Sequence, residues 1–347
     1  PAQSPSSSAP AASSASPLVA PGAKVNLTGA GSTFDFPLFS KVFDAYQQQT
    51  GVQVNYQSIG SGGGIEQFTK KTVDFGASDG PLNDDQTKAA TDAGGPPLHI
   101  PVTLGAVAVG YNLPGVDNLQ LDGDTLSAIF LGTITKWNDP KIAALNPNAK
   151  LPPTAVAVVH RSDGSGTTFI FTDYLGAVST DWKSKVGTAT SVSWPTGIGG
   201  QGSEGVAGQV KQTPGAIGYF ELAYAKQNNI ATAAMKNAGG KFVQPSVAAA
   251  TAAAAGAAAN MPADLKARFP NAPGDATYPI TGFSWIIVFQ NQPDAAKGRA
   301  LVDLLNYVVT KGQAFSEPLF YAPLPDPVVA LDQKAIKTIT VAGQSQQ

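Results

Sequence analysis

Three Ser/Thr/Gly loops, Gly29–Phe34, Gly60–Gly64 and Ser162–Thr167, each fall after a strand-like stretch and before a helical one. Backbone N–H groups at a helix start have no partner inside the helix and lie at the positive end of its dipole, so such loops suit anions. The hydroxyls of Ser32, Thr33, Ser61, Ser165 and Thr167 add donors. One such loop alone reads as an ordinary helix cap, since Ser and Thr are favoured there. Three of them, with an arginine inside one, point to an anion site. The arginine lies in Arg161-Ser162-Asp163-Gly164-Ser165-Gly166-Thr167. A guanidinium clamps an oxyanion through parallel bonds, and Asp163 stands where it could hold that guanidinium in place. The plainer reading is a surface Arg–Asp pair of little energetic worth; the charge-poor surroundings and the buried strand before it weigh against that. Asp79 follows the strand Val73–Ala77 and precedes Gly80-Pro81, at a strand tip of the kind where ligands gather in open α/β sheets. An ionised carboxylate only accepts hydrogen bonds. It would repel a fully ionised anion and suit one that carries a proton. A turn or capping aspartate ahead of Pro81 fits the pattern equally well.

Other chemistries find little material. There is no cysteine, and only two histidines, His99 and His160, so thiol catalysis, Cys-ligated metals and a three-His zinc site are excluded. Arginine occurs only as Arg161, Arg268 and Arg299, and the net charge of −2 argues against a nucleic-acid partner. The longest low-polarity run, Ala248–Ala259, is too short for a bilayer. Gly197-Ile198-Gly199-Gly200-Gln201-Gly202 matches G-x-G-x-x-G with Glu221 further on, but Trp194-Pro195 breaks the strand that should lead into it. Dinucleotide binding is therefore a minority reading. No Walker A sequence and no G-x-S-x-G elbow occur, and His160 and the four tryptophans read as structural. We expect no catalytic residue, no cofactor and no metal.

These loops need a scaffold, and 347 residues with 43% apolar side chains suggest two domains with proper cores. Residues 1–23 are Ser, Ala and Pro without periodicity and read as a disordered tether. No basic n-region or apolar h-region marks a signal peptide, so a mature or trimmed exported form is expected. From Val25 the pattern runs strand, loop, helix. The first helix starts near Pro37, carries Phe39, Val42, Phe43 and Tyr46 on one face and ends at Gly51. Ser61–Gly64 is expected as a loop before a short helix over Ile65–Lys71. Strands are expected at Val52–Gln57, Val73–Ala77, Val102–Asn112, Ala155–His160, Gly215–Tyr219 and Ile280–Phe289. A loop is expected over Thr196–Glu204 and an alanine-rich helical segment over residues 247–268. Strand–helix–strand units with short loops imply an α/β fold containing parallel strands.

Taken in order, TGAGSTF (Thr28–Phe34), Ile59–Gly64, DFGASD (Asp74–Asp79) and RSDGSGT (Arg161–Thr167) resemble the periplasmic phosphate-binding proteins of the high-affinity phosphate ABC importer. Leu131–Trp137, Leu145-Asn146-Pro147, Pro214–Tyr219 and Leu324-Pro325 extend the likeness over about residues 25–338. The resemblance implies a type II periplasmic-binding-protein fold, with two lobes of mixed sheet flanked by helices and joined by two hinge crossovers. The lobes would be residues 24–111 with 281–347, and 112–280. It places phosphate contacts on Thr33, Phe34 (through its N–H), Ser61, Asp79, Arg161, Asp163, Ser165, Gly166 and Thr167.

The same resemblance implies a monomeric, non-enzymatic receptor for inorganic phosphate that delivers it to membrane permease subunits. The protein would lie in the periplasm or at the cell surface, and the tether also fits a lipoprotein. Two positions depart from the family: Asp35 stands where proline is frequent, placing a carboxylate near the mouth, and Gly62 replaces a frequent serine. The competing readings are a receptor for another oxyanion, a nucleotide or phosphoester enzyme using Gly197–Gly202, and a surface adhesion protein that keeps the fold without transport.

Overall fold

The structure, a computed structural model, describes residues 25–345; the expected tether, residues 1–23, lies outside them. Eight strands follow one path through the molecule: β1 (Asn26–Gly31), β2 (Gln53–Ser58), β3 (Phe75–Ser78), β4 (Pro97–Tyr111), β5 (Ala157–Arg161), β6 (Ile198–Gly200), β7 (Ala216–Glu221) and β8 (Thr281–Phe289), in the order β2-β1-β3-β8-β4-β7-β5-β6. A ninth, Ala231–Thr232, pairs with β4 off this path. Strands β1, β2 and β3 are parallel, as are β5, β6 and β7. Antiparallel β8 enters between β3 and β4. β4 pairs with β8 along residues 97–106 and with β7 along 107–111, so this one strand joins the two sets. Every residue of β8 is buried, as is β4 from His99 onward, which is why both read as nearly unbroken apolar runs.

Helix α1 (Phe36–Thr50) carries proline in its first turn, buries the expected face and closes on Gly51 at φ 80°. Three expectations change. Ser61–Gly64 is not a loop: α2 runs Ser61–Thr69, and its first turn lies directly on β1. A Cβ at Gly64 would stand 2.4 Å from Gly31 Cα and 2.5 Å from Ala30 O. The close helix–strand contact requires glycine there, despite a helix cost of about 1 kcal/mol. The alanine-rich helix covers only Val247–Ala259 and stops at Asn260, because Pro262 disfavours helical backbone at Met261. The expected loop over Thr196–Glu204 contains β6 and the start of α4 (Gly202–Gln212). Earlier in the chain, α3 (Gly166–Val178) follows β5.

Near the C-terminus, α5 (Asp326–Ile336) buries Asp332 beside Val328 and Ile336 on its inner face. Neither carboxyl oxygen of Asp332 has a hydrogen-bond partner among the described residues, and burial pushes the group up to about 9. The folded state therefore holds a proton that the unfolded chain releases at about pH 4. Stability from this group is complete below that pH and is lost as pH rises towards 9. Asp332→Asn should flatten the decline; urea midpoints from pH 5 to 8 with the same slope in both proteins would refute it.

Candidate anion-binding site

The three loops converge. β1 delivers Ser32-Thr33-Phe34, α2 starts at Ser61, β3 leads into Asp79, and β5 ends at Arg161, from which the chain turns into α3. Ser165 caps α3, accepting from Thr168 N at 3.0 Å. Gly166 N donates to Ser61 Oγ at 3.0 Å, and Gly62 N donates to Gly164 O at 2.9 Å. Thr33 Oγ1 faces Ser203 Oγ at 3.0 Å and accepts from Ser203 N at 3.1 Å. The donor loops thus close on one another. A Cβ at Gly166 would lie 2.4 Å from Asp79 N, so only glycine lets the start of α3 approach this strand tip.

Arg161 is buried. Its Nε donates to Asp163 Oδ1 at 2.7 Å, its Nη2 donates to Asp163 Oδ2, and its Nη1 faces Ser203 Oγ at 3.4 Å. Asp163 Oδ1 also accepts from Gly202 N at 3.1 Å. The last glycine of the G-x-G-x-x-G sequence therefore secures the Arg161 counter-ion. Tyr219 OH accepts from Arg161 N at 3.1 Å and lies 2.6 Å from Thr168 Oγ1, with its ring stacked on Phe171 at 4.2 Å.

Asp79 is buried, with Oδ1 accepting from Ser32 Oγ (2.5 Å) and Ser284 Oγ (2.8 Å), and Oδ2 from Thr167 Oγ1 (3.4 Å). Burial raises its carboxyl to about 6, opposed by those hydroxyls and by the Arg161 charge. It does not cap the next helix, Asp84–Gly94, whose start is held by Asn83. Asp35 departs from expectation: it is fully buried rather than near the mouth, and its Oδ2 lies 2.6 Å from Ser284 Oγ. It stands at the cap position of α1, yet its side chain makes no capping bond and turns to β8 instead.

All nine residues predicted for the site lie in this region, in differing roles. Phe34 N is occupied by Ser32 Oγ at 3.0 Å, and Ser165 N donates to Thr190 O at 2.8 Å. Three tyrosines went unnoticed in the sequence. Tyr56 OH donates to Ser32 O (2.8 Å), Tyr224 OH to Thr33 O (2.6 Å) and Tyr321 OH to Phe34 O (2.6 Å), pinning three successive carbonyls. Ser203 and Ser284 were missed as well; a lone hydroxyl in the apolar run TGFSWIIVF was the available signal for Ser284. His160 stacks on Trp194 at 4.8 Å with its Nδ1 3.0 Å from Arg161 O, a structural role as expected.

A family model described as a PBP superfamily domain matches residues 5–311. The phosphate-binding protein PstS of Pasteurella multocida is 45% identical over 314 residues, covering 90% of this chain and 90% of that one. The chain belongs to the PstS phosphate-binding protein family. Another PstS, from Methanocaldococcus jannaschii, is 38% identical over 89% of this chain and 85% of its own length. Two solved structures share the PstS chain's fold at lower identity. A high-affinity periplasmic phosphate-binding protein (PfluDING) bound with phosphate has a TM-score of 0.71 at 21% identity over 94% of this chain and 100% of its own. A DING protein has a TM-score of 0.73 at 20% identity over 92% and 99%. The fold is thus of the type II periplasmic-binding-protein kind, and PstS membership makes the chain a binding protein rather than an enzyme.

Removing Asp163 from this PstS chain leaves a buried guanidinium without its counter-ion. Breaking a buried pair in this way costs about 3–5 kcal/mol. Asp163→Ala should lower the urea midpoint accordingly, and an unchanged midpoint would mean that water replaces the carboxylate.

Proposed function

We propose that this protein is an extracytoplasmic receptor that binds inorganic phosphate between two lobes and hands it to the membrane permease subunits of an ABC importer. The observation that carries this reading is Asp79: a buried hydrogen-bond acceptor among neutral donors, beside an arginine already paired with Asp163. The lobes are residues 24–111 with 281–347, and 112–280. The change of β4 partners between Ala106 and Val107, and the bond from Val107 N to Ile280 O (2.8 Å), support a two-lobe division, with the first crossover a few residues before the 111/112 boundary. Phosphate would be held by Thr33, Phe34, Ser61, Asp79, Arg161, Asp163, Ser165, Gly166 and Thr167. The loops that now bond to one another would exchange those bonds for phosphate oxygens, with closure of the lobes as the signal read by the permease. The receptor acts as a monomer, and the composition of residues 1–23 suits a spacer between a lipid anchor and the binding body.

Phosphate keeps a proton near neutral pH and gives it to the Asp79 carboxylate in a hydrogen bond, whereas sulfate has none to give. A buried acceptor left facing another acceptor costs about 1–3 kcal/mol or more, and a site built around a polar pair can reject the analogue lacking it by about 10⁴–10⁵. Arsenate retains the proton and competes. The Gly197–Gly202 loop is a weaker candidate for a nucleotide, since the N–H of Gly202 is used on Asp163.

Calorimetric titration of ligand-stripped protein tests this. At pH 7 we expect one-to-one phosphate binding, competition by arsenate and none by sulfate. Sulfate binding should emerge as pH falls through about 6, where Asp79 gains its own proton. Asp79→Asn should narrow the phosphate–sulfate gap, and Arg161→Ala should weaken both anions. Folded protein that binds no phosphate would overturn the assignment.

A further inference from the structure

Ser284 Oγ stands between two buried carboxyl groups, 2.6 Å from Asp35 Oδ2 and 2.8 Å from Asp79 Oδ1. Both contacts have hydrogen-bond length, and each requires a hydrogen between its oxygens. A serine hydroxyl supplies only one. The second must come from Asp35 or from Asp79.

The neighbours decide which. Ser32 Oγ accepts from Phe34 N at 3.0 Å, so its own hydrogen goes to Asp79 Oδ1 at 2.5 Å. Asp79 Oδ1 therefore already receives one hydrogen, and because a protonated carboxyl oxygen is the weaker acceptor, a bare Oδ1 facing both hydroxyls suits these contacts better. Resting on the phosphate-receptor reading, we infer that Asp35 permanently holds a proton, donates it to Ser284, and so turns the Ser284 hydrogen onto Asp79, leaving Asp79 ionised to receive the proton of the ligand. Asp35 is a positioning residue acting through Ser284, and it does not touch the anion itself.

The surroundings agree. Asp35 is fully buried, its Oδ1 has no hydrogen-bond partner among the described residues, and burial together with the Asp79 charge raises its carboxyl well above the usual range. The ionisable groups facing it are Asp79 at the end of β3, Glu221 at the end of β7, Tyr56 on β2, Tyr224 and Tyr321. None of these is a cation; Arg161 acts on Asp79 instead. The dipole of α1 favours an anion at Asp35, but only weakly against the desolvation of a carboxylate with an unpaired oxygen. Sequence geometry holds the relay in place. β8 runs antiparallel to β3 with Trp285 opposite Ser78, which sets Ser284 beside Asp79. A register shift at Ser284/Trp285 against β4 marks the same spot, as bulges near binding sites do when they re-aim a side chain. Asp35, Ser284 and Asp79 all belong to the segments proposed as one lobe, so the relay does not depend on closure.

The test is a pH titration of the carboxyl carbon resonances of isotopically labelled aspartate in ligand-free protein, assigned through the variants. Asp35 should remain at the protonated position at pH 7, while Asp79 titrates near 6. Ser284→Ala removes a donor from the Asp79 anion and should raise its midpoint by about one pH unit, with sulfate competition appearing at correspondingly higher pH. Asp35→Asn should hold the midpoint where the wild type has it, because the amide N–H donates to Ser284 as the acid O–H did. If Asp35 is instead an anion, Asp35→Asn removes a neighbouring negative charge, and the midpoint falls by about a unit or more. That fall, a carboxylate position for Asp35 at pH 7, or an unmoved midpoint in Ser284→Ala would overturn the inference. The wild-type resonance decides alone should a variant fail to fold. The titration uses no ligand, so its failure is separable from a failure to bind phosphate.

Discussion

Asp79 is a buried carboxylate whose nearest guanidinium, Arg161, is already held by two bonds to Asp163. Its negative charge is therefore sustained largely by hydroxyl hydrogens, and the architecture of the cleft follows from that shortage. Hydroxyls are short, so the chain must bring several of them to one point from distant segments: Ser32 from the end of β1, Thr167 from the first turn of α3, Ser284 from the middle of β8. Inserting the antiparallel β8 beside β3 provides a hydroxyl from a segment about 200 residues further along the chain.

The backbone around these hydroxyls is fixed by phenols. Tyr56, Tyr224 and Tyr321 reach the carbonyls of Ser32, Thr33 and Phe34, and Tyr219 holds the amide of Arg161. Burial raises the ionisation of all four well clear of physiological pH, so they stay neutral there, three donating to carbonyls and Tyr219 accepting from the Arg161 amide. Rigid rings tether the loops without adding charge to a cleft that already holds more carboxyls than cations.

Much of this was legible in the sequence. The three Ser/Thr/Gly loops, the Arg161–Asp163 clamp and Asp79 at a strand tip could be read from residue type and spacing, because helix-start donors and short-range pairs are local. The element boundaries that failed did so where tertiary contact or a proline overrode local preference. Gly62–Gly64 became helical because the turn packs on β1, and the alanine-rich helix ended before Pro262. What could not be read was pairing over long distances. The 249-residue separation between Asp35 and Ser284, and the three tyrosine clamps, depend on sheet order and register. Asp35 was expected near the mouth because adjacency to Phe34 says nothing about which way the first turn of α1 faces.

Close approach also limits how this chain can vary. At Gly31, Gly64 and Gly166, an added Cβ would meet backbone atoms of a neighbouring element at 2.0–2.4 Å. Only at Gly31, with φ 146°, does the dihedral angle add to the restriction. Backbone cannot yield as a flexible side chain can, so the methyl group of alanine is already too large. The surface helices can exchange residues freely, but at these three points the usable alphabet contracts to one letter. A chain evolving towards a larger oxyanion could not begin there and would have to start from the hydroxyls.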